Sequence, residues 1–289
     1  MTDFSDEWLS RRAPFDLAAR DGELAVRFAA ALGKTARVID LAAGHGANFR
    51  ALAPIIGGDQ DWVLVDQDPM LLTAQAGEIA RWAKREGWHC SSEAEGVVVE
   101  TGSARWCAKA KRLDLSRDLE RLDFASFTGV TTTAFLDLVS APWLDRLAAC
   151  LADRRLPLLA TLSVDGRRDW HPPLPEDAAV LAAFLRHQGG DKGFGPALGV
   201  SAAAYLKDRL DGLGHETLAV KSDWRISPEH RRMLATLLEE ATAVATAAEP
   251  RSAGLFARWL AERQAQLSGG LLSMSVGHLD LLALPRKTP

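Results

Sequence analysis

The residues of this chain best suited to chemistry are two aspartates with a pair of glycines between them. Asp40 closes the apolar run ARVID, Gly44 and Gly46 follow in a short turn, and Asp66 closes a second apolar run, DWVLVD. Glycine adopts positive φ without strain and lets a ligand approach the main chain closely. A carboxylate about twenty residues past such a turn can accept hydrogen bonds from both hydroxyls of a ribose. The order of residue types reads as strand, tight loop, helix, strand. That unit leaves a crevice at the strand ends, faced by backbone N–H groups and an anion, and suited to a nucleoside.

The elements that must hold those residues follow from periodicity. Residues 5–32 carry apolar positions at helical spacing, with Pro14 expected to divide two helices and Gly33 to end the second. Strands are expected at 37–42 and 61–66, and a helix from Pro69 to about 85, because proline suits a first helical turn. Residues 97–100 and 106–111 are each candidates for a strand, and 87–112 as a whole reads as a hairpin or irregular excursion leading to a third core strand that ends near 113–115. The β-branched run 127–133 reads as the fourth strand, 142–153 as a helix and 156–164 as the fifth strand. After Asp165 the pattern becomes turn-like in GRRDWHPPLPED. A short helix at 177–187, a glycine-dense loop and a helix at 201–213 come next, then a strand at 215–226, helices at 228–247 and 252–267, and a last strand at 270–284. Alternating β and α elements imply a parallel sheet covered on both faces.

Composition narrows the function. The chain has 289 residues, 47% of them hydrophobic, and a formal net charge of −4, so no broad basic footprint for nucleic acid is expected. Cys90, Cys107 and Cys150 are odd in number and widely spaced, which fits reduced thiols rather than a disulfide framework or a zinc knuckle. No apolar run is long enough to span a bilayer and the first residues lack a signal-peptide core, so a cytoplasmic location is expected. His-Glu-x-x-His, Cys-x-x-Cys, P-loop and Gly-x-Ser-x-Gly patterns are absent, and nothing asks for a metal.

With these residues on the page, the chain resembles the class I S-adenosylmethionine-dependent methyltransferases. VIDLAAGHGANFR looks like their first motif and VLVDQDPMLL like their second. The resemblance covers residues 36–165 well and the terminal strand–helix–strand more loosely. It implies an α/β, Rossmann-like, doubly wound sheet of seven mostly parallel strands with an antiparallel last strand. It also implies a single domain: a helical cap at 1–34, a cofactor core at 35–165, a substrate lid at 166–214 and a terminal unit at 215–289. The implied cofactor is S-adenosylmethionine, with S-adenosylhomocysteine as product. Ala42, Ala43, Gly44 and Gly46 would pass beneath its methionine part, Asp40 would steady the loop and reach the amino group through water, Asp66 would hold the ribose and Gln67 would flank the adenine. Asp114 and Leu115 would follow the third strand near the adenine, and Thr132 and Thr133 the fourth, beside the methyl donor. Arg12 and Arg20 are candidates for the cofactor's carboxylate, because arginine recognises carboxylates in bidentate fashion.

One departure from the family pattern is Ala42, which stands where its first loop glycine does. Another is Phe49, which occupies the position where a glycine would favour a dinucleotide's pyrophosphate. For the acceptor, Asp137 and His187 are the candidate bases, and His171, Lys192 and Phe194 the candidate binding residues. Lys192 would suit an anionic small molecule. Two other readings stay open: an NAD(P)-linked oxidoreductase, and a protein on the same scaffold that binds the nucleoside without turning it over.

Overall fold

The computed structural model describes residues 6–93 and 96–287. Ten strands form one sheet: β1 Ala36–Leu41, β2 Gln60–Asp66, β3 His89–Glu93, β4 Gly96–Glu100, β5 Arg105–Arg112, β6 Gly129–Thr133, β7 Leu158–His171, β8 His215–Lys221, β9 Trp224–Ile226 and β10 Ser273–Pro285. Their spatial order is β3-β4-β5-β2-β1-β6-β7-β10-β8, with β9 also paired to β10. Strands β5, β2, β1, β6 and β7 run parallel, and β10 runs antiparallel to β7, β8 and β9. The expected seven-stranded arrangement is therefore the centre of the sheet. The antiparallel strands β3 and β4 extend it past β5, and β9 adds a short tenth strand.

The central strands are nearly continuous apolar runs because both faces are covered. Side chains alternate across the sheet, so Ile39, Leu41 and Val65 face one layer while Val38, Trp62 and Leu64 face the other. The first layer is α6 Ala141–Arg154 and α8 Ala202–Gly212, which bury Leu144, Leu147, Leu206 and Leu210. The second is α2 Gly22–Ala31, α3 Ala47–Ile56 and α4 Pro69–Arg85, which bury Phe28, Phe49, Leu52 and Ile79. A third cluster joins α1 Asp6–Ala19, α7 Asp177–Gln188, α9 Arg231–Ala248 and α10 Ala253–Ser268 to the far ends of β7, β9 and β10. No described helix is long and apolar enough to cross a membrane.

Several elements differ from the sequence reading. Helix α1 continues through Pro14, which sits on its exposed side; the break falls after Ala19, where Asp21 caps α2 by accepting from Leu24 N at 2.8 Å. The third core strand is β5 itself, ending at Arg112 rather than near 113–115. Strand β7 does not stop at 164. It continues to His171 because its charges are paired: Arg167 with Asp165 and Asp223, and Arg168 with Glu240 while stacked over Phe184. Residues 215–226 split into β8 and β9 around Ser222, whose hydroxyl donates to Asp280 at 2.6 Å. Residues 166–214 are distributed among three places. The first part completes β7, α7 packs into the helical cluster, and α8 covers the main sheet.

Candidate functional site

The carboxyl ends of β1, β2, β5 and β6 open into one cleft of about 630 Å³, which is the position expected for a ligand in a parallel sheet. Each strand delivers a short segment to its wall. The loop after β1 brings Ala42, Ala43 and Gly44, β2 ends in Asp66 followed by Gln67, β5 leads to Asp114 and Leu115, and β6 ends in Thr133. Lys192 and Phe194 also line it, reaching in from the glycine-dense loop.

The loop after β1 is held in a left-handed path, with φ of +55° at Ala42 and +53° at Gly44. Alanine at the first of these carries a steric cost that glycine would not. The main contact between the two motifs is Asp66 Oδ2 accepting from Gly44 N at 2.8 Å, while Oδ1 accepts from Asp68 N at 3.0 Å. Burial raises the pKa of Asp66 against the lowering effect of these backbone donors. A carboxylate offers about four lone-pair sites, so this one retains acceptor capacity for a diol.

Beneath the loop lies a buried polar network. Asp40 Oδ1 accepts from Asn48 Nδ2 at 2.9 Å and from Thr131 Oγ1 at 2.8 Å, and its Oδ2 has no partner among the described residues. Burial pushes Asp40 up to about 7, more than its hydrogen bonds and the Arg20 charge offset. Arg20 belongs to this network and is not in the cleft wall. Its Nη1 donates to Asn48 Oδ1 and Thr161 Oγ1, both at 2.7 Å, and its Nη2 to Thr133 Oγ1 at 3.1 Å. Arg12 does stand in the wall, gripped by Asp16 through Nε at 2.8 Å and Nη2 at 3.1 Å and stacked 5.0 Å over Trp224.

The remaining sequence candidates divide. Gly46 caps the N-terminus of α3 at φ +82° and abuts Leu64 and Ile79, and Thr132 donates to Leu41 O at 2.8 Å, so both shape the site from behind. Asp137 is also behind the wall, between Phe135 and Leu138, which do line it. Its Oδ1 lacks a partner among the described residues, and burial raises it to about 6. His187 and His171 are exposed and outside the cleft. His187 is the penultimate residue of α7, where its carbonyl accepts from Lys192 Nζ at 3.4 Å, and His171 is the last residue of β7, opposite Ser273. Sequence reading passed over Leu9, Asp16 and Arg112, all of which line the cleft, as does His45 of the expected 42–46 loop. Only Asp16 carried a signal, its position four residues after Arg12 on one helix.

No protein-family model matches the chain, and no curated protein matches it. Its backbone is similar to solved structures at low identity. A cyclopropane-fatty-acyl-phospholipid synthase-like protein from Lactobacillus casei is 13% identical with a TM-score of 0.49, over 95% of this chain and 100% of that one. A SAM-dependent methyltransferase from Geobacter sulfurreducens, solved with S-adenosylhomocysteine, is 14% identical with a TM-score of 0.44, over 99% and 100%. Another from Thiobacillus denitrificans, also with S-adenosylhomocysteine, is 16% identical with a TM-score of 0.42, over 98% and 100%. The fold assignment rests on the strand order of this chain, and its function on the cleft.

Proposed function

We propose that this chain is an S-adenosylmethionine-dependent methyltransferase acting on a small molecule. The observation that supports this most is the bond from Gly44 N to Asp66 Oδ2 at the base of the cleft. It sets a strained main-chain turn beside a carboxylate with spare lone pairs, an arrangement that suits an adenosyl ribose. Two further features fit the group. Asp40 Oδ2 is a buried oxygen under the loop with no partner among the described residues, matched to a water or an ammonium. Phe49, fully buried against Trp62 and Trp82, stands where a dinucleotide fold needs a glycine for close pyrophosphate approach.

When bound, the cofactor supplies an electrophilic methyl group: a lone pair of the acceptor forms the new bond as the S–CH₃ pair returns to sulfur, leaving a thioether. The work of this chain is positioning and exclusion of water. Asp66 and the 42–44 loop hold the ribose and methionine parts, Gln67, Asp114 and Leu115 enclose the adenine, and Arg12, rather than Arg20, takes the cofactor's carboxylate. Phe194 and Lys192 form a tongue over the outer half of the cleft, which narrows the expected lid to residues 191–196 of a single domain. Lys192 favours an acceptor that bears an anion, and the acidic balance of the chain argues against nucleic acid. Neither candidate base read from the sequence, His187 or Asp137, lines the cleft, whereas Asp16, His45 and Asp114 do, and an acceptor that attacks with a free lone pair would need none of them as a base. The free thiols Cys90, Cys107 and Cys150 fit a reducing cytoplasm.

Calorimetric titration with S-adenosylhomocysteine and, separately, NADH tests the proposal. Micromolar binding of the first and none of the second is expected. Asp66→Ala should weaken S-adenosylhomocysteine by ~1–3 kcal/mol through loss of charged hydrogen bonds. Tight NADH binding, or an Asp66→Ala protein that binds as the wild type does, would overturn the reading.

A further inference from the structure

Gln75 lies on α4, outside the cleft wall and only 3% exposed. Its Nε2 donates to Gly44 O at 2.7 Å, while its Oε1 has no partner among the described residues. The amide orientation follows from chemistry, since a carbonyl only accepts and the NH₂ end must face it. Gly44 is thus held at both of its backbone groups: its N–H by Asp66 at the end of β2, and its C=O by Gln75 in the helix that follows β2.

This double grip has a directional consequence. In a trans peptide the C=O and the next N–H point opposite ways. Fixing Gly44 O on α4 therefore fixes the His45 N–H away from α4, in a loop whose residues 42–45 line the cleft. Gly44 has no Cβ to restrict it, so without Gln75 the Gly44–His45 peptide can rotate at little cost and its dipole is no longer set before a ligand arrives. A buried side chain with one bonded end and one idle end is otherwise poor use of a core position, where an unpaired polar atom costs stability.

We propose that Gln75 is a positioning residue for the cofactor: it locks the Gly44–His45 peptide in the orientation that receives the methionine half of S-adenosylmethionine. This rests on the methyltransferase reading above. The same grip ties the loop to α4, whose first turn lies beside Gln67 and Pro69 of the cleft, so the two halves of the ligand are read by one rigid unit.

Gln75→Glu distinguishes positioning from mere packing. A protonated glutamic acid can donate to Gly44 O, whereas the ionised form sets two acceptors against it, and burial raises the acid's pKa into an accessible range. The Kd for S-adenosylhomocysteine is measured by calorimetry for wild type, Gln75→Leu and Gln75→Glu at pH 6 and pH 8.5, each alongside a ligand-free melting curve. Gln75→Leu should bind about tenfold more weakly at both pH values. The ratio of Gln75→Glu to wild type should be small at pH 6 and about tenfold or more at pH 8.5, a change that cancels any titration shared with wild type. A Gln75→Glu ratio independent of pH, or a folded Gln75→Leu that binds as wild type does, would overturn the inference. Should Gln75→Leu fail to fold, the Gln75→Glu ratio alone decides. Wild type that fails to bind S-adenosylhomocysteine at all removes the methyltransferase reading, and this inference with it.

Discussion

Asp40 carries an unusual load for one side chain. It is fully buried, one oxygen accepts two hydrogen bonds, the other accepts none from the described residues, and burial raises it to about 7. Its folded-state pKa lies above the unfolded value of 3.8, so between about pH 4 and 7 the folded protein holds the extra proton. The stability contributed by that protonated form is lost as pH rises through 7. A bound ammonium group nearby acts in the opposite sense, because it favours the anion. Cofactor binding near pH 7 should then release up to about half a proton, and affinity should rise with pH through 7. Titrations in phosphate and in Tris at pH 7 report the release as a difference in apparent enthalpy, and Asp40→Asn should abolish it. Equal enthalpies in the two buffers for wild type would count against an ammonium beside Asp40. At this scale the sequence was informative wherever position along the chain decides the role. Asp40, Gly44 and Asp66 are neighbours through consecutive strand ends, so their spacing alone brings them together. Gln75 and Asp16 act through contacts between elements, and so does Arg20, whose partners Asn48 on α3, Thr133 on β6 and Thr161 on β7 converge only in the folded protein.

Among the elements, the tongue at 191–196 is the one that the cleft most directly depends on. Asp191 Oδ1 accepts from Gly193 N at 2.7 Å and Gly195 N at 2.9 Å, and this turn presents Phe194 at its tip. The ring sits edge-on to Phe135 at 5.4 Å and to Trp143 at 5.7 Å, which anchors the tongue to the wall. Aromatic pairs of this geometry contribute ~0.5–1.5 kcal/mol each beyond area burial. Phe194→Ala should cost about 2 kcal/mol of stability in urea denaturation and raise amide exchange selectively within 191–196. Unchanged exchange there would mean the backbone turn, not the ring, holds the tongue down. Elements were legible where apolar runs are continuous: β1 and β2 lie within a residue or so of expectation. Residues 106–111 also read as a possible strand, but not as the third core strand, because RWCAKAKR is exposed along its second half and its basic residues hide the pleat. The extension of β7 was missed because the partners of Arg167 and Arg168, Asp223 and Glu240, lie more than fifty residues away in sequence.

Across the whole molecule, α1 is where the α/β core and the added helical cluster meet at the cleft. One face of this helix gives Leu9, Arg12 and Asp16 to the cleft wall, and Trp8 and Phe15 pack into the cluster. Trp224 joins the two faces. Its Nε1 donates to Asp16 Oδ1 at 3.0 Å, the Arg12 guanidinium lies 5.0 Å over its ring, and Trp8 and Phe15 approach to 6.3 and 6.2 Å. Trp224 does not itself line the cleft, so its influence on a ligand must pass through the placement of α1. Trp224→Ala should therefore cost ~3–5 kcal/mol of stability, as expected for a large buried aromatic. The protein that remains folded should also bind S-adenosylhomocysteine about tenfold more weakly, since Arg12 loses its backing and Asp16 a donor. Trp224→Phe separates the two effects: it should recover most of the stability by keeping a ring against Trp8 and Phe15, and less of the affinity because the bond to Asp16 is still missing. If calorimetry on folded Trp224→Ala gives the wild-type affinity, then the helical cluster is a stabilising addition to the core and has no part in holding the cofactor's carboxylate.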